Sequence, residues 1–334
     1  MIRARTGAAS SPATVSAHRL VNRRGDEVVL LDAGARIASM RLQLDDGPRD
    51  VILSYPDARD FLEDRYFLGG TIGRFANRIR NSTFELDGER VTLARNEGPH
   101  QLHGGPDGFH TRRWNIEPGA GQKQVAYRLR SSDGDQGYPG NVDARVQFDW
   151  SDDRELDIRY AVTTDRTTHV NLTNHAYFNL GAGARDVLDH RIAINAGHYT
   201  ELDGASLPTG AVLPLAGSEL DLRTPKAVRD LVEGRDARLR AARGADFNYV
   251  LSGDSPAATL LSPDGDLELA VHTSCPGIQL YTGQFLAAPF APYAGLCLET
   301  QYFPDTPNQP AFPSTRLGPG QTWRETTSFR FLAR

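Results

Sequence analysis

His169-Val-Asn-Leu-Thr-Asn-His-Ala-Tyr-Phe-Asn-Leu180 alternates with a period of two. Val170, Leu172, Ala176, Phe178 and Leu180 are apolar, whereas Asn171, Thr173, His175, Tyr177 and Asn179 are polar, the pattern of a strand. The polar face carries no lysine, aspartate or glutamate. It offers uncharged hydrogen-bonding groups and one imidazole, a set suited to a polyhydroxylated ligand. Taken alone, the same stretch equally describes an ordinary sheet with a water-facing side and a satisfied histidine.

Alternation of this kind recurs outward in both directions. Met40, Leu42 and Leu44 show it, as do Val125, Tyr127 and Leu129, then Val146, Phe148 and Trp150. Leu156 to Val162, Leu267 to Val271, and Phe329 with Phe331 continue it. Asp87-Gly88 sits between two such runs and suits a tight antiparallel hairpin, because both residues tolerate positive φ. Helical signals are few and short: Thr224-Pro225 as cap and first turn before Ala227, Val228, Leu231 and Val232, and a weaker one after Pro56. With 32 glycines and 20 prolines as turn punctuation, the chain is expected to be all-β. The architecture expected is one large antiparallel β-sandwich over residues 1–334 with a few short helices. Residues 208–243 are less regular, and the small, polar residues 1–12 are expected to form a loose end.

A net charge of -5 provides no basic surface for a phosphate backbone, which argues against nucleic acid as a partner. No apolar run is long enough to span a bilayer, so a membrane is not expected as a partner either. Cys275 and Cys297 are too few for a disulfide framework and lack metal-binding spacing. Free thiols and a cytoplasmic location are the expectation. A monomer and a homodimer are equally compatible with these features.

Three further stretches carry candidate chemistry. Gly69 to Ile79 is glycine-rich but has neither dinucleotide-binding spacing nor a phosphate-loop lysine. Its Arg74, Asn77 and Arg78 offer planar donors to a ligand, or a buried arginine holding a loop. Asn96 to Gly105 places His100 and His103 three apart, but a third metal ligand is not evident nearby. His103 therefore reads better as a hydrogen-bonding group, and neither metal nor cofactor is expected. Finally, Glu299 and Gln301 share one face of a strand followed by an aromatic, proline-rich loop, so Glu299 is either a site carboxylate or a solvated one. Cys297 lies on the same face without any sign of nucleophilic activation.

In this order the blocks Gly73-Arg-Phe-Ala-Asn-Arg-Ile79, Leu102-His-Gly-Gly105, Asn171 to Asn179, Pro208-Thr-Gly210, Asp246-Phe-Asn248, Pro276 to Gly283 and Glu299-Thr-Gln301 resemble the aldose 1-epimerase, or galactose mutarotase, family. The resemblance implies the β-sandwich already expected, a monosaccharide substrate, and interconversion of its α and β anomers without a cofactor. It further implies His175 as general acid and Glu299 as general base, with Arg74, His103, Asp246 and Gln279 binding sugar hydroxyls. One position departs from the pattern: Phe247 stands where the family usually has histidine. A protein that binds sugar without turning it over, an epimerase of phosphorylated hexoses and a glycosidase are the rival readings. The first lacks a reason to keep both acid and base, the second lacks a basic cluster, and the third needs a second carboxylate, for which Asp246 is the candidate.

Overall fold

The structure, a computed structural model, describes residues 15–253 and 256–334. The expected loose end at 1–12 lies outside the described residues. Two antiparallel sheets dominate. A nine-stranded sheet is built around Gln124–Ser131, Val142–Trp150, Glu155–Thr164, Thr322–Ala333 and Leu267–Thr273. A six-stranded sheet runs in the order Tyr177–Phe178, Leu296–Gln301, Gly277–Tyr281, Asp246–Leu251, Ala196–Leu202, Pro208–Pro214.

Alternation does what the sequence implies. Every second residue of Val142–Trp150 is buried while its neighbours are half-exposed. The apolar set of one sheet packs on that of the other, with Phe178 meeting Phe329 edge-on at 5.0 Å and Thr300 hydrogen-bonded to Thr327. In the six-stranded sheet this sends Leu298, Thr300, Ile278, Leu280, Phe247 and Tyr249 inward. Cys297, Glu299, Gln301, Gln279, Asp246 and Asn248 are consequently left on the opposite face. Loops from the first third of the chain cover that face, so Leu296–Gln301 is buried at all six positions.

Thr83–Leu86 and Glu89–Thr92 form the expected hairpin, with Asp87 at φ 54° and Gly88 at φ 82° in its two-residue turn. Of the helices, Val228–Glu233 begins three residues later than Pro225 implies. Lys226–Ala227 instead pairs with Arg191 and Ile192 at a sheet edge, so its backbone is already committed. A second short helix, Ala237–Ala242, is capped by Asp236 accepting from the Arg238 amide. After Pro56 there is only a 3-10 turn, Asp60–Leu62.

The stretch from His169 to Leu180 departs from a single strand. It is extended but divided into Thr168–His169, Thr173–Asn174 and Tyr177–Phe178, each paired with a different segment. Both of its faces are buried. Its polar residues thus have two different uses. Asn171 binds the Ala76 and Tyr302 carbonyls and the Tyr302 amide, and Asn179 binds the Ala184 and Ala294 carbonyls. Only His175 and Tyr177 of this face reach the cavity described next.

Candidate active site

A cavity of about 290 Å³ opens on the covered face of the six-stranded sheet. His175 and Glu299 meet there. His175 Nε2 lies 3.7 Å from Glu299 Oε1, and both side chains are almost wholly buried. That separation is too long for a direct hydrogen bond, so neither group is used up on the other. His175 is held by its backbone, whose amide donates to the Gly70 carbonyl and whose carbonyl accepts from the Gly69 amide. Gly69 has φ 65°, and a Cβ there would lie 1.9 Å from the Ile37 carbonyl oxygen, so no other residue fits. The other ring nitrogen of His175, Nδ1, lies 3.5 Å from Cys297 Sγ.

His103 is fixed from two directions by Asn77: its amide donates to the Asn77 carbonyl, and the Asn77 amide donates to His103 Nδ1 at 3.2 Å. An acceptor at Nδ1 places the proton of the neutral ring on Nε2. His103 therefore offers a donor to a ligand. Its ring stands edge-on to His175 at 5.2 Å, and Phe67 packs against both.

Arg78 grips Glu97 with two hydrogen bonds of 2.8 Å and holds its remaining nitrogen 3.7 Å from Asp246 Oδ2. Asp246 also accepts from Gln279 Nε2 at 2.6 Å. Arg78, Asp246, His103, His175 and Glu299 all line the cavity. Gln279 stands behind Asp246 and orients it. Phe247 points to the other face, edge-on to Tyr199 at 6.2 Å, and so leaves Asp246 in place.

Arg74, by contrast, is directed away from the cavity. Its guanidinium donates to the carbonyls of Ser131, Ser132 and Pro139 and to the Ser131 hydroxyl, and it is buried against Tyr138. Of the two readings of this arginine, the one in which it holds a loop matches its surroundings. Arg78, four residues on, faces the cavity instead. Phe67 and Tyr281, which also line it, were not singled out from the sequence. Tyr281 was accessible by counting two from Gln279 along its strand, but Phe67 sits in a loop without a periodic signal.

Burial governs the electrostatics. It lowers the His175 imidazole to about 4 and pushes the Glu299 carboxyl well above its usual range, an effect reinforced by Asp246 and opposed by Arg78. Burial thus disfavours the charged form of each group, the imidazolium and the carboxylate alike. His103 is likewise lowered, first by burial and then by the neighbouring histidines. Ligand atoms of His103, His175 and Glu299 lie within 4.8 Å of one another, so folding supplies the third metal-type ligand that the sequence alone did not reveal. The three do not fit a metal well, because the Asn77 amide leaves His103 Nε2 with a proton instead of a lone pair. His100 is elsewhere, accepting from the Asn81 amide.

The profile of the aldose 1-epimerase family matches residues 16–330. The chain belongs to the aldose 1-epimerase family. Among its relatives in that family, an aldose 1-epimerase of Escherichia coli (strain K12) is 39% identical over 328 residues, with 94% of each chain covered. A galactose mutarotase of Homo sapiens is 37% identical over 294 residues, with 84% of each covered. The fold is shared with an aldose epimerase homologue from C. elegans at a TM-score of 0.89 and 30% identity, covering 96% of this chain and 99% of that one. A galactose 1-epimerase from Lactobacillus acidophilus NCFM superposes at a TM-score of 0.86 with 28% identity, covering 96% and 95%. No helix among the described residues is long and apolar enough to cross a membrane.

Proposed function

We propose that this protein, as an aldose 1-epimerase, interconverts the α and β anomers of free aldoses such as galactose or glucose, with Glu299 as general base and His175 as general acid. The observation that carries the assignment is the 3.7 Å approach of His175 Nε2 to Glu299 Oε1 at one cavity. Anomer exchange breaks the bond between C1 and the ring oxygen, and the two oxygens that must exchange protons are both attached to C1. Acid and base consequently need to be neighbours and not to face each other across the sugar.

Glu299 takes the proton of the C1 hydroxyl while His175 delivers one to the ring oxygen, and the C1–O bond opens to the aldehyde. Rotation about C1–C2 presents the other carbonyl face. Closure reverses both transfers. Ring opening converts an imidazolium–carboxylate pair into a neutral imidazole and a carboxylic acid, and closure restores it, so no proton is gained or lost. Burial favours the neutral pair, the form that accompanies the open chain. No electron transfer or covalent intermediate enters the balance. His103 as donor, with Arg78 and Asp246, would hold the remaining hydroxyls and keep the open chain from leaving. Gln279 supports this indirectly through Asp246, and Arg74 is assigned to the loop it anchors.

A sugar-binding protein without turnover is not favoured, since both proton-transfer groups are present and adjacent. The two cysteines are free and buried, which supports a cytoplasmic location. Polarimetry on freshly dissolved α-galactose and α-glucose is the direct test. Accelerated approach to the equilibrium rotation is expected; a rate equal to buffer across a panel of aldoses would reject the proposal.

A further inference from the structure

Beside Glu299, on the same face of the sheet, stand Asn248 and Gln301, two buried polar side chains that the mechanism above leaves unused. Asn248, Gln279 and Glu299 are directly opposite one another on three adjacent strands, and Gln301, next on that face after Glu299, is opposite Gly277. All four are at most 3% exposed. Both amide atoms of Asn248, both of Gln301, Oε1 of Gln279 and Oε2 of Glu299 nevertheless have no hydrogen-bond partner among the described residues. The glycine between them matters. A Cβ at Gly277 would come within 2.8 Å of Asn248 Oδ1 and 3.0 Å of the Phe303 ring, so the missing side chain leaves a hollow toward which Asn248 turns.

Buried polar atoms are almost always paired, because each one left unpaired loses its hydration without replacement. The composition of this group indicates what pairs with it. A cation would serve the carbonyl and carboxylate oxygens and leave the amide N–H groups of Asn248 and Gln301 unmet; an anion would do the reverse. Water both donates and accepts, and an internal water typically makes about three such bonds.

We propose that Asn248 and Gln301 hold bound water against Oε2 of Glu299, which makes them positioning residues for the catalytic base. The proposal rests on the reading of Glu299 as that base. Oε1 is left for the substrate, while Oε2 is tied to the sheet through water. A donor on Oε2 stabilises the carboxylate over the acid and fixes its rotamer. The other charged or titratable groups around Glu299 are His175, His103, Asp246, Arg78, Tyr177, Tyr281 and Cys297. None of them belongs to the water-holding pair, so they remain unchanged in its variants.

Gln301→Met and Asn248→Leu keep approximate volume and remove the polar atoms. Each is expected to lower kcat roughly tenfold near pH 6 and to move the acid limb of the kcat profile upward by about one pH unit, with KM little changed. A purely structural role would lower the melting temperature and leave the pH profile where it was, which would overturn the proposal. Should neither variant fold, a high-resolution crystal structure of the unaltered protein decides. Water within hydrogen-bonding distance of Glu299 Oε2 and of Gln301 or Asn248 supports the proposal, and direct contact between those side chains refutes it. Failure of the mutarotase reading itself would be seen separately, as an inactive unaltered protein.

Discussion

Arg36 and Asp64 form a buried ion pair, 3.0 Å apart, beneath the rim of the cavity. The same guanidinium donates to the carbonyls of Ala33, Leu68 and His110, while Asp64 accepts from the Tyr66 and Leu68 amides and the Tyr55 hydroxyl. Through these bonds a single arginine ties the strand Arg36–Leu44 to the loop carrying Phe67 and to the segment after His103. Asp64→Asn would leave Arg36 charged and without its anion, an imbalance that costs about 3 to 5 kcal/mol in buried pairs. A large fall in the denaturant midpoint is expected. A change within the error of the unaltered protein would show that the pair does not hold the rim.

His175→Asn and Glu299→Gln are each expected to lower kcat by ~100- to 10,000-fold, the range of a positioned acid or base. In the mechanism proposed above the two groups serve one paired proton transfer, so the double variant should be scarcely slower than the slower single one. Polarimetric progress curves with circular dichroism as the folding control check this; losses that multiply would contradict it. Glu299→Gln should retain or raise thermal stability, since it removes a group whose charged form burial disfavours.

The two arginines of Gly73 to Ile79 should separate cleanly. Arg78→Met is expected to raise KM at least tenfold with a modest stability change. Arg74→Met takes the donor from the buried Ser131 and Pro139 carbonyls and the part-buried Ser132 carbonyl and should cost on the order of 3 kcal/mol without altering KM. Melting curves and saturation kinetics on both variants give the answer. An Arg74 variant that folds normally but binds sugar poorly would reverse the assignment.

Acid should destabilise the protein earlier than carboxylate titration alone would. Burial holds His169, His175 and His190 at about 4, His110 at about 3, and His103 well below 6.5. In each case the unfolded chain binds the proton first. Stability is thus fully present above pH 6.5 and is lost as pH falls toward 4, by about 1.4 kcal/mol per pH unit for each histidine. Glu299 opposes this, because its raised carboxyl is penalised less as pH falls toward 4.5. Asp305, also raised by burial, adds to that opposition, and the five histidines outweigh the two carboxyls. Melting temperature measured from pH 7 to 4.5 should fall steeply from about 6.5; a flat profile would refute the account.

Cys297 touches the His175 imidazole yet is fully buried, and burial keeps its thiol well above the usual range. Iodoacetamide should leave the native protein active and unmodified, while urea should expose both cysteines to alkylation. Mass spectrometry of the treated native protein gives the count, and rapid modification at Cys297 would show that the pocket floor opens. Cys297→Ser should retain more activity than Cys297→Val, which cannot hydrogen-bond to His175 Nδ1.

Period-two alternation made the all-β architecture legible in the sequence, because successive Cβ atoms on a strand point to opposite faces wherever that strand ends up. It also put Glu299 and Gln301 on one face, and Asp87-Gly88 marked its own turn. The same rule could not say that the stretch from His169 to Leu180 is shared among three partners, since pairing depends on segments far away in the chain. Motif order likewise named the family but put the sugar contact on Arg74, whereas the fold turns Arg78 to the cavity. Both are long and flexible, and only the closed loop shows that one meets backbone carbonyls and the other the cavity. The protonation of His175 and Glu299 belongs wholly to the tertiary structure. Desolvation is exerted by everything that covers a group, and here much of the cover, Phe67, His103 and His175 included, lies more than a hundred positions away from Glu299.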